Sequence, residues 1–139
     1  MLKESILTYV NQFKYTALAT SSLEHKPEAA IVGFVFTWDF EIVFDTATDS
    51  RKHANLQLNP DVAFVFGGEE SEITVQYEGT AQELKGPELV YYKQLYFDKF
   101  PDGREREKQW NIAYYLVRPT RIRYSNFGIS PANIEEIHF

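Results

Sequence analysis

Apolar residues at Leu2, Ile6, Val10 and Phe13, with Leu7 beside them, recur at spacings of four and three. That period predicts an amphipathic helix over Leu2–Phe13. The period then shortens. Tyr15–Ser22 alternates loosely as a strand, LEHKP turns the chain, and Ala29–Phe36 (AAIVGFVF) is a continuous apolar run. Such a run predicts a strand buried on both faces. TWDFE turns again and Ile42–Thr46 returns as a strand. A helix over Ser50 to about Leu58 follows and is stopped by Asn59-Pro60, because the residue before a proline is pushed out of the helical region.

Val62–Phe66 (VAFVF) predicts another buried strand, broken by Gly67-Gly68, and Ile73–Leu84 alternates long enough for a long strand. Gly86-Pro87 ends it. Pro87–Lys99 carries Leu89, Tyr92, Tyr96 and Phe97 on one helical face, Phe100–Gln109 (FPDGREREKQ) reads as a charged loop, and Trp110–Val117 and Thr120–Phe127 read as two strands separated by Pro119. The tail from Gly128 has no period and reads as irregular. The strands, about six or seven of them, follow one another mostly as hairpins, with about three helices between and around them. The predicted class is α+β, mainly β: an antiparallel six- or seven-stranded split β-barrel with flanking helices, in one domain spanning 1–139.

Composition narrows the chemistry. Eleven Phe and nine Tyr in 139 residues favour strands, while a net charge of −6 opposes general nucleic-acid binding and adhesion to anionic membranes. No cysteine is present, which removes disulfides, thiolate metal sites and cysteine nucleophiles. No membrane-spanning run or leader pattern is present, so the expected location is the cytoplasm. His25, His53 and His138 are scattered without metal-ligand spacing, and no metal site is expected.

The densest chemical signal is FDTATDSRKHANLQLNP, residues 44–60. A helix beginning at Ser50 places Arg51 and Lys52 in its first turn, where the helix already presents unpaired N–H groups and a partial positive charge. Cations crowded there point either to an anion, for which phosphate suits the combination of N–H donors, guanidinium fork and ammonium, or to a solvated helix start capped by Asp49 or Ser50 with its cations in water. Thr46 and Ser50 supply hydroxyls, whereas Thr48 fits an ordinary strand-end residue. Gly33 interrupts bulky strand residues, as a bulge or a close-approaching planar ligand requires.

The segment ALATSSLEHKPEAAIVGFVF…IVFDTATDSRKHANLQLNPDVAFVFGG…ITVQYEGTAQEL, with Ser50-Arg51-Lys52 about eight residues before Asn59-Pro60 and Glu78-Gly79-Thr80-Ala81 on a long strand, resembles the pyridoxamine 5′-phosphate oxidase-like FMN-binding split-barrel family. The resemblance implies a homodimer holding FMN at its interface. It implies the isoalloxazine along Ala30, Ile31, Val32 and Gly33 as far as Val35. It places the phosphate against Arg51 and Lys52 with Thr46 and Ser50, with Asp45 beside them. A glutamine that reaches the flavin in the oxidase aligns with Thr74, and Gln76 lies two residues on. The tail ISPANIEEIHF has no arginine beyond Arg123, and Ala29 and Ala30 replace expected basic residues, so the substrate is predicted to be a small molecule other than pyridoxamine phosphate.

Redox chemistry would come from FMN, and no catalytic residue is assigned. Three alternatives on the same fold stay open: a non-catalytic flavin-binding or sensing dimer, a deazaflavin binder, and a haem binder with His138 as the available tail ligand. Trp38, Trp110 and Tyr124 are candidates to flank a ring, although barrel aromatics are more often core. Lys99, Arg104, Arg106 and Lys108 could guide an anionic substrate, but a solvated loop balanced by Asp98, Asp102, Glu105 and Glu107 is the simpler reading.

Overall fold

The structure is a computed structural model describing all residues 1–139. Its elements are α1 (Leu2–Val10), β1 (Tyr15–Ser21), β2 (Pro27–Phe36), β3 (Ile42–Ala47), α2 (Arg51–Leu58), β4 (Asp61–Gly67), β5 (Ile73–Glu83), α3 (Gly86–Lys99), α4 (Gly103–Gln109), β6 (Ile112–Asn126) and β7 (Asn133–His138). The strands run in the order β3-β2-β1-β4-β5-β6, all antiparallel, and β3 pairs back onto β6 to close a six-stranded barrel. β7 adds a seventh strand outside the closure. This is the mainly β split barrel with flanking helices that the hydrophobic pattern predicts.

The split arises at β6. One of its edges pairs with β5 along most of its length; the other pairs with β3 over Ile112–Val117 and with β7 over Arg121–Asn126. Pro119 falls in the gap between those two partners, next to a bulge in which Thr120 of β6 has no counterpart between Gly79 and Glu78 of β5. A residue without an N–H therefore costs no ladder bond there, and the two strands expected on either side of Pro119 are one. Gly79 is needed at this crossing, since a Cβ would lie 2.5 Å from the Arg118 carbonyl oxygen.

Inward-facing Phe34, Phe44, Phe64, Phe66, Tyr77 and Tyr115 fill the barrel, and Ile6 and Val10 of α1 pack into the same core. Tyr77 satisfies its buried hydroxyl by donating to the Phe40 carbonyl at 2.6 Å. A second cluster, with Tyr96, Phe97 and Phe100, packs α3 on the outer face of β3 and of early β6. Those strands are therefore buried on both faces, whereas β2 and β4 are not: Ile31 is 69% exposed and Val65 45%. The expectation that Ala29–Phe36 and Val62–Phe66 are sealed on both sides fails within one chain, because α3 covers only part of the outer surface.

The charged segment 100–109 contains α4 rather than a loop. Its surface is polar nearly all round, and it is held by ion pairs to neighbouring elements instead of an apolar stripe. The tail expected to be irregular forms β7, fastened by a fork from Arg121 to Glu136 at 2.8 and 3.0 Å. No helix is long and apolar enough to cross a membrane.

Candidate functional site

β3 ends at Ala47, and a tight turn closed by Ser50 N–H donating to the Ala47 carbonyl (3.1 Å) leads into α2. Ser50 is the N-cap: its backbone is extended and its hydroxyl accepts from the His53 N–H at 3.1 Å. Thr46 Oγ1 lies 2.8 Å from Ser50 Oγ, tying the strand end to the cap. The N–H groups of Arg51 and Lys52 find no acceptor within the chain, and no acidic residue occupies the first turn of α2. α2 is docked by buried contacts: Asn55 donates to Thr20 Oγ1 at 3.1 Å, and Tyr115 Oη lies 2.8 Å from His53 Nδ1 and accepts from Gln57. The donor-rich end of α2 is thus held in a fixed place.

That end opens on a cavity of about 260 Å³. Ile31, Val32 and Gly33 of β2 line it, with Asp45, Thr46 and Ala47 of β3, Ser50 and Lys52 of α2, and Tyr15, Tyr96, Phe100 and Arg106 from β1, α3, its C-terminal cap and α4. Gly33 has a specific reason: a Cβ there would lie 2.8 Å from Phe100 Cζ and 3.3 Å from the Tyr96 hydroxyl. The space it leaves is taken by the chain's own aromatic pair, Tyr96 and Phe100, stacked at 4.8 Å.

Of the residues singled out from sequence, Ile31, Val32, Gly33, Asp45, Thr46, Ser50 and Lys52 meet at this cavity. Arg51 does not line it; its side chain is 86% exposed and leans toward Glu28, 3.4 Å away. Ala30 takes the inward-facing parity of β2, and Thr74 lies on the outward row of β5, opposite Gly67 and Ser125. Gln76, on the Thr74 row, lines a separate outer hollow of about 330 Å³ with Ala17, Ala19, Ala29, Ala63, Val65 and Arg121. Trp38 and Trp110 are exposed and Tyr124 is buried; none borders the cavity.

The electrostatics centre on Asp45. Tyr96 donates to its Oδ1 at 2.9 Å, and Arg106 donates to its Oδ2 at 2.8 Å and to Asp102 at 2.6 Å. Burial, reinforced by the Asp45 charge, pushes the Tyr96 phenol well above its usual range. Burial works against the Arg106 charge, but the bond and charge of Asp45, with the charges of Tyr96 and Asp102, together outweigh it and hold the proton more tightly. Nearby, Lys93 and Tyr114 both bond Glu107, at 2.6 and 2.7 Å, and outweigh burial to keep that carboxyl below the usual range. Arg106 and Tyr96 were not predicted as site residues. The sequence signals are Tyr96 on the inner face of its helix, Arg106 among the cations weighed as guides for an anion, and an Asp102–Arg106 spacing of four.

The arrangement can hold an anion at Ser50 and Lys52, with an apolar strand surface beside it for a planar body. No His, Cys or Met side chain borders the cavity, while Tyr15 and Tyr96 do; His53 is turned to Tyr115 and His138 to Glu136. No three His, Cys, Asp or Glu side chains are grouped as a metal site would need.

Comparison with known proteins agrees with this architecture. The heme binding protein from Mycobacterium smegmatis superposes with a TM-score of 0.84 at 17% identity, covering 99% of this chain and 58% of that one. Campylobacter jejuni ChuZ gives 0.79 at 15%, covering 96% and 58%, so this chain spans under two thirds of either protein. A pyridoxamine 5′-phosphate oxidase-related, FMN binding protein from Nostoc punctiforme gives 0.75 at 14%, covering 97% and 87%. At these identities the likeness is one of fold. A sequence model of the pyridoxamine 5′-phosphate oxidase family matches residues 2–126, nearly the whole barrel, and by that match the chain belongs to this family.

Proposed function

We propose that the chain, as one split-barrel domain over residues 1–139, binds FMN in a homodimer and uses it as the redox cofactor of an oxidoreductase acting on a small molecule other than pyridoxamine phosphate. The observation that carries this reading is the corner where α2 begins: Ser50, Thr46 and Lys52 border the cavity beside β2, and the first-turn N–H groups of Arg51 and Lys52 have no acceptor in the chain. A charge-assisted hydrogen bond is worth roughly 1.5–3 kcal/mol, so two or three, with burial of a flat ring, reach the ~8 kcal/mol of a micromolar complex.

In this reading Ser50, Thr46 and Lys52 bind the phosphate, and Arg51 joins by swinging from Glu28. Ile31 and Val32 present the strand surface on which the ring system rests, and Tyr96 and Phe100, which cover Gly33, limit its travel. FMN when bound supplies hydride transfer at its ring, which needs no general acid or base from the chain.

Dimerisation has independent support. At about 260 Å³ the cavity is smaller than the ~300–1,000 Å³ usual for such ligands, so one chain encloses only part of the cofactor. The outward row of β2 runs Ala29, Ile31, Gly33, so the small-residue hollow and the cavity share one strand face. A second copy seated on the hollow would wall the cavity.

The haem alternative has weaker support, since His138 lies on β7 paired to Glu136 at 3.1 Å and away from the cavity. The substrate restriction follows from the tail, where Arg123 is spent on Glu136.

The test is direct. Purified protein is expected to be yellow, to release FMN on heating as identified by mass, and to sediment as a dimer. Bleaching by NADH or NADPH then distinguishes a reductase from a passive flavin carrier. Colourless protein that fails to quench FMN fluorescence on titration overturns the reading.

A further inference from the structure

Asp45 is an awkward neighbour for an anion site. It directly precedes Thr46, whose hydroxyl is 2.8 Å from Ser50 Oγ, and it lines the same cavity as Lys52. Its side chain is only 13% exposed, so water screens its charge poorly. It has a structural use: Tyr96 donates to it, and Tyr96 stacks on Phe100, which fills the space over Gly33. The wall of the cavity therefore depends on a carboxylate that would oppose a phosphate. The same carboxylate meets Arg106 at 2.8 Å, brought from α4 across the cavity mouth.

We propose that Arg106 is a positioning residue of the anion site: it cancels the Asp45 charge, so that a phosphoester held at Ser50 and Lys52 is not repelled, and it makes recognition of phosphorylated ligands depend on the docking of α4. The proposal rests on the FMN reading and deepens it. It distinguishes Arg106 from a cation that contacts the ligand, because its effect acts through Asp45 and disappears when Asp45 is neutral. Three of the five guanidinium N–H donors go to Asp45, Asp102 and the Tyr96 hydroxyl at 3.3 Å, which agrees with a screening role.

The test is a double-mutant cycle read by quenching of FMN fluorescence, with riboflavin as the phosphate-free control. Arg106→Gln is expected to weaken FMN at least about tenfold, with the loss shrinking as salt is added, and to leave riboflavin nearly unchanged. Asp45→Asn is expected to bind FMN at least as tightly as the wild type. Asp45→Asn with Arg106→Gln is expected to return to within about threefold of it, and Arg106→Lys, which keeps the charge and loses the fork, to stay close to it. Arg106→Gln binding like the wild type, or a double variant as weak as Arg106→Gln alone, overturns the proposal. Should Arg106→Gln fail to fold, Asp45→Asn decides, and a tenfold loss there overturns it. Wild-type protein that takes up no FMN brings down the cofactor reading and this proposal together; wild type that binds while the cycle fails brings down this proposal alone.

Discussion

The start of α2 and the α3–α4 segment border one cavity, and both bring cations to it, but they are built oppositely. At α2, Lys52 has no carboxylate partner and Arg51 only a 3.4 Å approach to Glu28 at an exposed position. On α3 and α4, Arg106 bonds two carboxylates and a phenol, and Lys93 shares Glu107 with Tyr114. The first region keeps its donors unfilled at a cost in local electrostatics; the second fills every donor it buries. A cation with satisfied bonds holds structure together; on the function proposed above, the cations gathered at the start of α2 are kept for a phosphate.

The largest expected effect tests that contrast directly. Arg51→Ala with Lys52→Ala should weaken FMN by at least about a hundredfold, since two charge-assisted bonds at roughly 1.5–3 kcal/mol each are lost. Melting temperature should barely move, because exposed cations contribute little and their removal relieves the unfavourable dipole contact. The single variants sharpen it: Lys52→Ala should lose more than Arg51→Ala, as only Lys52 lines the cavity. Retained occupancy in the double variant would refute the phosphate assignment. On the opposite side, Gly33→Val should destabilise the fold by about 1–3 kcal/mol by driving Phe100 off β2, and Phe100→Leu in that background should restore part of the loss. Gly33→Val without a fall in denaturation midpoint would mean that Phe100 is free to leave.

The same contrast explains what could be read from sequence. Elements up to β5 are short, alternating or apolar, and punctuated by Gly67-Gly68, Asn59-Pro60 and the Ser50 cap, so local pattern locates them within a few residues. Ser50 and Lys52 belong to this legible part because capping is a local rule. Beyond Leu84 long-range contacts decide. α4 has no apolar stripe; Arg106 reaches an Asp45 that is 61 residues earlier, and Gly103 lies under Phe97. Pro119 looks like a strand break until β3 and β7 are seen to leave a gap opposite it. β7 has only Ile134 and Ile137 to recommend it as a strand, and it is held by its antiparallel pairing with β6 and by Ile137 packing on the core. Where a residue's partner is distant, no period in the sequence announces it.

A smaller effect is expected at the cap. Ser50→Ala leaves the His53 N–H without its acceptor and should cost about 1 kcal/mol of stability, along with one donor to the phosphate. Ser50→Asp should keep the cap in full and still repel the phosphate. Melting temperature and FMN affinity should therefore part company between the two variants. If both quantities fall together in Ser50→Asp, capping and anion binding at this residue are not separable.

The smallest effect comes from an exception on the saturated side. Lys99 is half-buried and has no carboxylate; its Nζ donates to the Phe13 carbonyl at 3.0 Å and sits 4.1 Å from the centre of the Phe34 ring. Burial, and then the Lys14 charge, push its pKa down to about 8. Between pH 8 and the ordinary lysine range, the unfolded chain holds this proton and the folded chain does not, so stability rises with pH there. Below pH 8 both states are protonated and Lys99 contributes no slope. Above about pH 10 the buried phenols reverse the trend: Tyr77, Tyr96 and Tyr114 are held above their usual range and Tyr92 is pushed up to about 12, so the folded chain keeps protons that the unfolded chain loses. The window is therefore pH 8–10, with a gain below about 1 kcal/mol after discounting for partial exposure. Denaturant midpoints measured at pH 7.5, 8.5 and 9.5 should climb in the wild type and flatten in Lys99→Met. Equal slopes in the two proteins would show that water reaches this ammonium as freely as it reaches Lys52, and the contrast between an open corner and a closed wall would have to be redrawn along α3.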